Sequence, residues 1–168
     1  MSKLLAILVL SACGAVRDYS DEELTLRYFA GIQGKSKNQI YVQAHRFFKG
    51  PAGLSAYSAH ASKAEGGISA TIEAEGDISP LHSRAVKMTM NMTISDGSAE
   101  FEFSNPRLVG GGFFVARKEP RLDMPEEVDG YRRIALDLVS RFKSYAEAAA
   151  DNLAFENPSS YALETEER

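Results

Sequence analysis

The stretch "VKMTMNMTISDGSAEFEF", residues 86–103, decides the fold. Apolar and polar residues alternate along its first half, and the alternation resumes after the tetrapeptide Ser-Asp-Gly-Ser at residues 95–98. A period of two places the apolar residues on one face of a strand. Asp-Gly supplies the positive φ angles that a tight hairpin turn needs. The stretch therefore predicts an antiparallel hairpin with one buried, methionine-rich face and one face in water.

Weaker patterns on both sides of this hairpin predict the other elements. The predicted strands are residues 24–32, 54–64 and 68–75, and the predicted helices are residues 36–48 and 126–150. Residues 105–123 form a long predicted connection before the second helix. The order β-α-β-β-β-β-α predicts an α+β fold, in which an antiparallel sheet of about five strands packs against two helices as a two-layer sandwich.

Composition limits the class of protein. The chain has 168 residues, of which 44% are hydrophobic and 25% are charged, as expected for one globular domain with tails. The formal net charge of -4 provides no electrostatic footprint for DNA or RNA, so we expect no nucleic-acid partner. Residues 151–168 are polar and acidic and are predicted to form a disordered tail.

The N-terminus has the layout of an export signal. Seven apolar residues, "LLAILVL" at 4–10, follow Lys3 and are too few to span a bilayer. The next residues, Leu10-Ser11-Ala12-Cys13, resemble the lipobox of bacterial lipoproteins. The resemblance implies that residues 1–12 are a signal peptide, that Cys13 carries a lipid anchor, and that residues 13–23 are a lipidated linker.

The lipobox also implies a location. Gly14 stands where some bacteria use an aspartate to retain lipoproteins at the inner membrane, so we expect an outer-membrane protein that faces the periplasm. The alternative is that the apolar run forms a buried N-terminal strand with Cys13 in the core, in a cytoplasmic protein.

A lipobox followed by a β-α-β4-α domain resembles a group of bacterial lipoproteins with a domain of unknown function and a fold like that of the TATA-binding protein. The resemblance covers about residues 22–150, and we place the domain at residues 24–150. It is carried by the first strand, by "SKNQIYVQAHRFF" at 36–48, by the central hairpin and by the closing helix. It implies a fold and no activity, and the strongly basic surface of a DNA binder is missing.

The sequence contains no catalytic or metal-binding signature that we recognise. His45, His60 and His82 have no metal-site spacing, and we interpret them as surface or boundary residues. A row of carboxylates alternates with apolar residues and is interpreted as a solvated strand face: Glu73, Glu75, Glu100 and Glu102. We therefore predict no catalytic residue, no metal and no cofactor.

Two apolar features leave alternatives open. Phe113 and Phe114 follow three glycines, and they either fill the core or form an apolar tip that contacts a ligand or partner. Met88, Met90 and Met92 either pack beneath the helices or line an adaptable groove, and the core is favoured.

Taken together, these features favour a lipid-anchored, non-enzymatic binding or accessory module of the cell envelope. Its expected partners are the membrane, through Cys13, and an envelope protein or a small apolar ligand. The alternative is a periplasmic hydrolase or a small-ligand-transforming enzyme that uses the groove between the helices and the sheet.

Overall fold

The computed structural model describes residues 17–62, 66–79, 82–109 and 121–149. It contains five strands and two helices in the predicted order. The strands are β1 (Leu26–Gly31), β2 (Ala56–Ser62), β3 (Gly67–Ser79), β4 (His82–Ser95) and β5 (Ser98–Val109), and the helices are α1 (Lys37–Lys49) and α2 (Pro125–Ala148).

The strands form one antiparallel sheet in the order β1-β5-β4-β3-β2. Both helices pack on the same face of this sheet. The other face, which we call the open face, carries no helix. The predicted α+β sandwich is therefore confirmed.

The central hairpin forms as its alternation predicts. Ser95 pairs with Ser98, and Gly97 has the positive φ of 73° that the turn requires. Met88, Met90 and Met92 are buried beneath the helices. The residues that alternate with them on β4 point to water. The period of two was therefore sufficient to predict which face of this strand is buried.

Both helices begin where the sequence predicts. Ser36 caps α1 in a capping box with Gln39, whose side-chain oxygen accepts from the Ser36 backbone N–H at 2.8 Å. Pro125 opens α2, and the Glu127 carboxylate accepts a 3.2 Å hydrogen bond from the backbone N–H of Asp123. Neither helix within the described ranges has the length and apolar character of a membrane span.

The core lies between the helices and the sheet. Phe142 of α2 contacts Phe47 of α1 and Phe101 of β5, with ring centroids 5.6 and 5.5 Å apart. The polar residue Gln43 of α1 is only 4% exposed, because the contact surface of α1 is wider than its apolar stripe.

β5 is longer than predicted. Residues 105–109 were assigned to the connection, yet they continue the strand after a register shift. Asn105 has φ 51°, a conformation that asparagine tolerates, and Pro106 follows it in a buried position. A bulge at this point lets proline sit in a strand, and this is why the Asn-Pro pair misled the sequence interpretation.

The folded part begins before the predicted boundary at residue 24. The backbone N–H of Arg17 donates to the Asp123 carbonyl at 2.8 Å, and Tyr19 is buried in the core. Asp21 forms an ion pair with Arg121. Residues 17–23, predicted as the distal part of a linker, are therefore attached to the segment before α2, although most of them are exposed.

Candidate functional site

The space between the helices and the sheet, where the sequence allowed a ligand groove, is filled by the protein itself. Met88, Met90 and Met92 meet buried aromatic side chains from β5 and from both helices. Close packing of this kind contributes stability and leaves no room for a substrate beneath the described part of the helices. The interpretation of the methionines as core residues is confirmed.

The open face carries polar residues in rows that cross the sheet. One row contains a residue from every strand, namely Arg27, Glu102, Asn91, Ser69 and His60. Within the row, Arg27 Nε donates to Glu102 Oε2 at 2.9 Å, and Ser69 Oγ donates to Asn91 Oδ1 at 2.7 Å. These bonds between neighbouring strands hold the polar side chains in register.

Phe29 interrupts this polar surface. It lies on the edge strand β1, next to Glu100 on β5, and its residue surface is 66% exposed. A shallow groove of about 350 Å³ runs beside the phenylalanine. We call the residues around it on the open face the Phe29 patch: Arg27, Phe29, Asn91, Thr93, Glu100 and Glu102.

Further apolar surface lies near the β1 edge on the other face of the sheet, where the helices pack. The hydroxyl of Tyr28 donates to the Arg132 carbonyl of α2 at 3.4 Å, which places β1 beside that turn of the helix. Leu136, one turn later, is 51% exposed. Among the described residues, the exposed large hydrophobics are Phe29, Met124 and Leu136, so all of them belong to β1 or to the α2 region.

The Phe29 patch contains one basic and two acidic side chains, so it has an excess of negative charge. Arg27 pairs with Glu102, whereas Glu100 has no ion pair with any residue in the described ranges. The four predicted carboxylates do not converge, because β4 separates Glu73 and Glu75 from Glu100 and Glu102. The described residues contain no group of three or more His, Cys, Asp or Glu side chains placed to hold a metal ion.

The histidines are not brought together either. His45 lies on α1, where its ring contacts that of Tyr41 with centroids 4.9 Å apart and the ring planes tilted by 58°. Burial, and secondarily the charge of Lys49, lowers the pKa of His45. His60 is exposed on the open face, and His82 belongs to the first residues of β4 rather than to the predicted loop.

Two buried tyrosines have raised pKa values but different surroundings. The Tyr131 hydroxyl donates to the Leu24 carbonyl at 3.1 Å, and burial raises the pKa of Tyr131 strongly. Burial, followed by the effect of Tyr41, raises the pKa of Tyr57 to about 12. The Tyr57 hydroxyl is buried and has no hydrogen-bond partner among the residues that the structure describes.

A second groove, of about 440 Å³, lies between α2, the end of β3 and the Ala52-Gly53 turn. Arg141 lines it, donates to the Ala52 carbonyl and pairs with Asp137 at 3.2 Å. These contacts fasten the turn to the helix, so we assign them a structural role.

The residues that the sequence singled out for function lie elsewhere. Cys13, Phe113 and Phe114 are outside the described ranges, so lipidation and the apolar tip stay predictions. Sequence reasoning missed Phe29. The sequence did contain an indication of its exposure. Phe29 alternates with the apolar residues Leu24, Leu26 and Tyr28 and so lies on the other face of the strand, where polar residues are expected.

Comparisons with known proteins support the fold. The sequence matches no protein-family model and no curated protein. The structure is similar to that of a TBP-like protein from Parabacteroides distasonis, with a TM-score of 0.54 and 14% identity over 75% of this chain and 94% of that one. A DUF4468 family protein from Bacteroides ovatus has a TM-score of 0.49 and 15% identity, over 76% of this chain and 88% of that one.

The first of these likenesses agrees with the predicted fold of TATA-binding-protein type. At 14% identity it shows the fold alone. The likeness therefore assigns no function to this chain.

Proposed function

We propose that this chain is a lipid-anchored, non-enzymatic protein of the bacterial cell envelope that binds a protein partner through the Phe29 patch. The single observation that supports the binding role is that Phe29 is exposed on an edge strand, next to the carboxylate of Glu100. Aromatic residues are enriched at protein interfaces, where they bury a large area and lose few rotatable bonds.

The chemistry of the patch defines the partner. An apolar side chain of the partner would cover Phe29, and a lysine or arginine of the partner would reach Glu100. Burial of most of a phenylalanine side chain stabilises a complex by about 1.5–3 kcal/mol before ordering costs are subtracted. A protein partner is favoured over a small ligand because the groove beside Phe29 is shallow and open to solvent.

The rival function, a hydrolase in the helix–sheet groove, has no comparable support. That groove is filled with methionine and phenylalanine side chains. An acid–base site also needs polar groups that converge in a cleft, and the carboxylates on the open face are spread over separate strands.

The anchor would hold the domain close to the membrane. Arg17 is already fixed to Asp123, and only three residues separate it from Cys13. A chain spans at most about 3.6 Å per residue, so Arg17 would lie within roughly 14 Å of the Cys13 backbone. Two or more acyl chains on Cys13 would make this attachment stable.

Palmitate labelling tests the anchor. Cells that express the wild-type chain should incorporate labelled palmitate into it, and cells that express Cys13→Ala should not. Equal labelling of both chains would refute the lipoprotein assignment and leave the binding role to be judged separately.

A photo-crosslinking amino acid at position 29 tests the binding role, in the bacterium that carries the gene. The matched control has the same amino acid at Thr71, which is exposed on the open face of β3 away from the patch. We expect a discrete crosslinked protein from position 29 only, and its loss when Glu100→Lys is added. Identical products from both positions, or products that ignore Glu100→Lys, would refute the proposed patch.

A further inference from the structure

The second edge of the sheet has properties that differ from those of the β1 edge. β2 pairs with β3 over seven consecutive residues without a register shift. Its other side forms no backbone hydrogen bond with the described part of the chain. The helices pack mainly over β1, β3, β4 and β5. β2 touches them through Tyr57, whose ring stacks on Phe48 of α1 with centroids 6.0 Å apart, and its outer edge stays uncovered by either helix.

Natural proteins protect exposed edge strands with charged side chains, proline, bulges or a covering element. β1 follows this rule through Arg27. β2, with the sequence "AYSAHAS", contains no lysine, arginine, aspartate, glutamate or proline. An uncharged, regular strand of this length is a template for another strand.

We propose that β2 pairs with β2 of a second copy of this chain, in antiparallel orientation, about a two-fold axis at Ala59. Residues that lie opposite each other in an antiparallel pair point to the same face of the sheet. In a two-fold symmetric pair, the open faces of both copies therefore lie on the same side of the joint sheet only when one residue of the strand lies opposite its own copy at the axis. Ala59 is the centre of the strand, and this register alone aligns all seven residues. It forms roughly six to eight new main-chain hydrogen bonds.

The side chains fit this register. On the open face, Ser58 of each copy lies opposite His60 of the other, so a hydroxyl and an imidazole meet twice. Two copies with a formal net charge of -4 repel each other, so a contact surface without charged side chains favours their association. β2 meets this condition, and so do Ser69 and Thr71, its open-face neighbours on β3. These features favour a second copy over a charged partner strand.

Pairing through β2 would produce a continuous ten-stranded sheet with β1 at both outer edges. The two Phe29 patches would then lie about 43 Å apart along the sheet, from nine strand spacings of ~4.8 Å. A dimer of this kind is bivalent, and it would hold a partner with two matching sites more tightly than one copy can. The bivalency rests on the proposed role of the patch, whereas the pairing does not.

Disulfide trapping tests the pairing and its register. Ala59→Cys is introduced into the full chain with Cys13→Ala, which removes the other cysteine. At the axis the two Cα atoms would be about 4.5–5.5 Å apart, within the range of a disulfide. The matched control is Ala56→Cys, whose two copies would be roughly 20 Å apart in this register. Mild oxidation should give a covalent dimer with Ala59→Cys and monomer with Ala56→Cys.

Sedimentation of the full chain in detergent provides the second measurement. Ser58→Lys with His60→Lys places two like-charged pairs across the axis and should weaken the dimer at least tenfold. Thr89→Lys with Ser95→Lys adds the same charge to the open face of β4, two strands away from the edge and outside the Phe29 patch, and should leave the dimer unchanged. The proposal is overturned if the wild-type chain stays monomeric, if both cysteine variants crosslink equally, or if β2 is found paired with a different protein. None of these outcomes bears on crosslinking at Phe29.

Discussion

Replacement of Tyr131 by phenylalanine should destabilise the domain by an amount that the structure specifies. Tyr131 is fully buried, and its hydroxyl donates a 3.1 Å hydrogen bond to the Leu24 carbonyl, which joins α2 to the entry of β1. A typical intramolecular hydrogen bond contributes about 0.5–1.5 kcal/mol, and a buried group left without its partner costs about 1–3 kcal/mol. We expect Tyr131→Phe to lower the free energy of unfolding by about 1.5–3 kcal/mol.

Tyr28→Phe is the matched control. Tyr28 makes the reverse connection, from β1 to the Arg132 carbonyl, but the bond is 3.4 Å long and the residue is half-exposed. We expect a loss below ~0.5 kcal/mol because water replaces such a bond. Urea unfolding followed by circular dichroism gives both values, since the chain has no tryptophan for fluorescence. Equal losses for the two variants, or a Tyr131→Phe chain as stable as the wild type, would refute this reasoning.

The pH dependence provides a second check on the same residue. The pKa of Tyr131 is raised in the folded protein, first by burial and then by Tyr28, so the folded state keeps its proton at pH values where the unfolded chain loses it. Below about pH 10 both states are protonated and the difference between variant and wild type is constant. Above it, the wild type loses up to about 1.4 kcal/mol per pH unit through this group, and Tyr131→Phe does not. The stability deficit of the variant should therefore be constant up to about pH 10 and shrink by about 1 kcal/mol by about pH 11.

Two further substitutions test the packing of the sheet. Met90→Asp should abolish the cooperative thermal transition, because an unpaired carboxylate beneath the helices costs several kcal/mol; a melting curve like that of the wild type would show that this face is exposed. Gly76→Ala would place a Cβ 2.7 Å from Ile134 Cδ1, so we expect a loss of about 1–2 kcal/mol that Ile134→Ala largely relieves. A double-mutant cycle measured by urea unfolding checks the second case, and simple additivity of the two losses would contradict it.

The features of the fold that the sequence predicted correctly are those determined by residues close together in the chain. The alternation of Met88, Met90 and Met92 fixes a buried face without reference to any other strand. Asp96-Gly97 fixes the hairpin in the same way, and Ser36 fixes the start of α1. Each of these signals depends on neighbours within four residues, so the amino-acid sequence alone is enough to predict these features.

The parts that were missed depend on contacts between distant residues. Burial of Tyr19 and Gln43 requires knowledge of which elements lie beside them. The exposure of Phe29 depends on the position of β1 at an edge of the sheet, and strand order is not a local property. Phe113 and Phe114 were predicted as a candidate contact site because three glycines precede them, which is a local signal. Phe29 has no such local signal, so the sequence gives no reason to prefer it over Phe113 and Phe114.

The register of β5 links core packing to the geometry of the Phe29 patch. Phe101 and Phe103 of this strand are buried beneath the helices, and Glu100 and Glu102 alternate with them on the open face. A slip of one residue against β4 would turn both carboxylates into the core, at a cost of several kcal/mol each. Core packing therefore holds Glu100 beside Phe29 and Glu102 beside Arg27. Phe29 is exposed and Glu100 has no ion pair with the described residues, so substitution of either should change the free energy of unfolding little while it weakens the proposed binding.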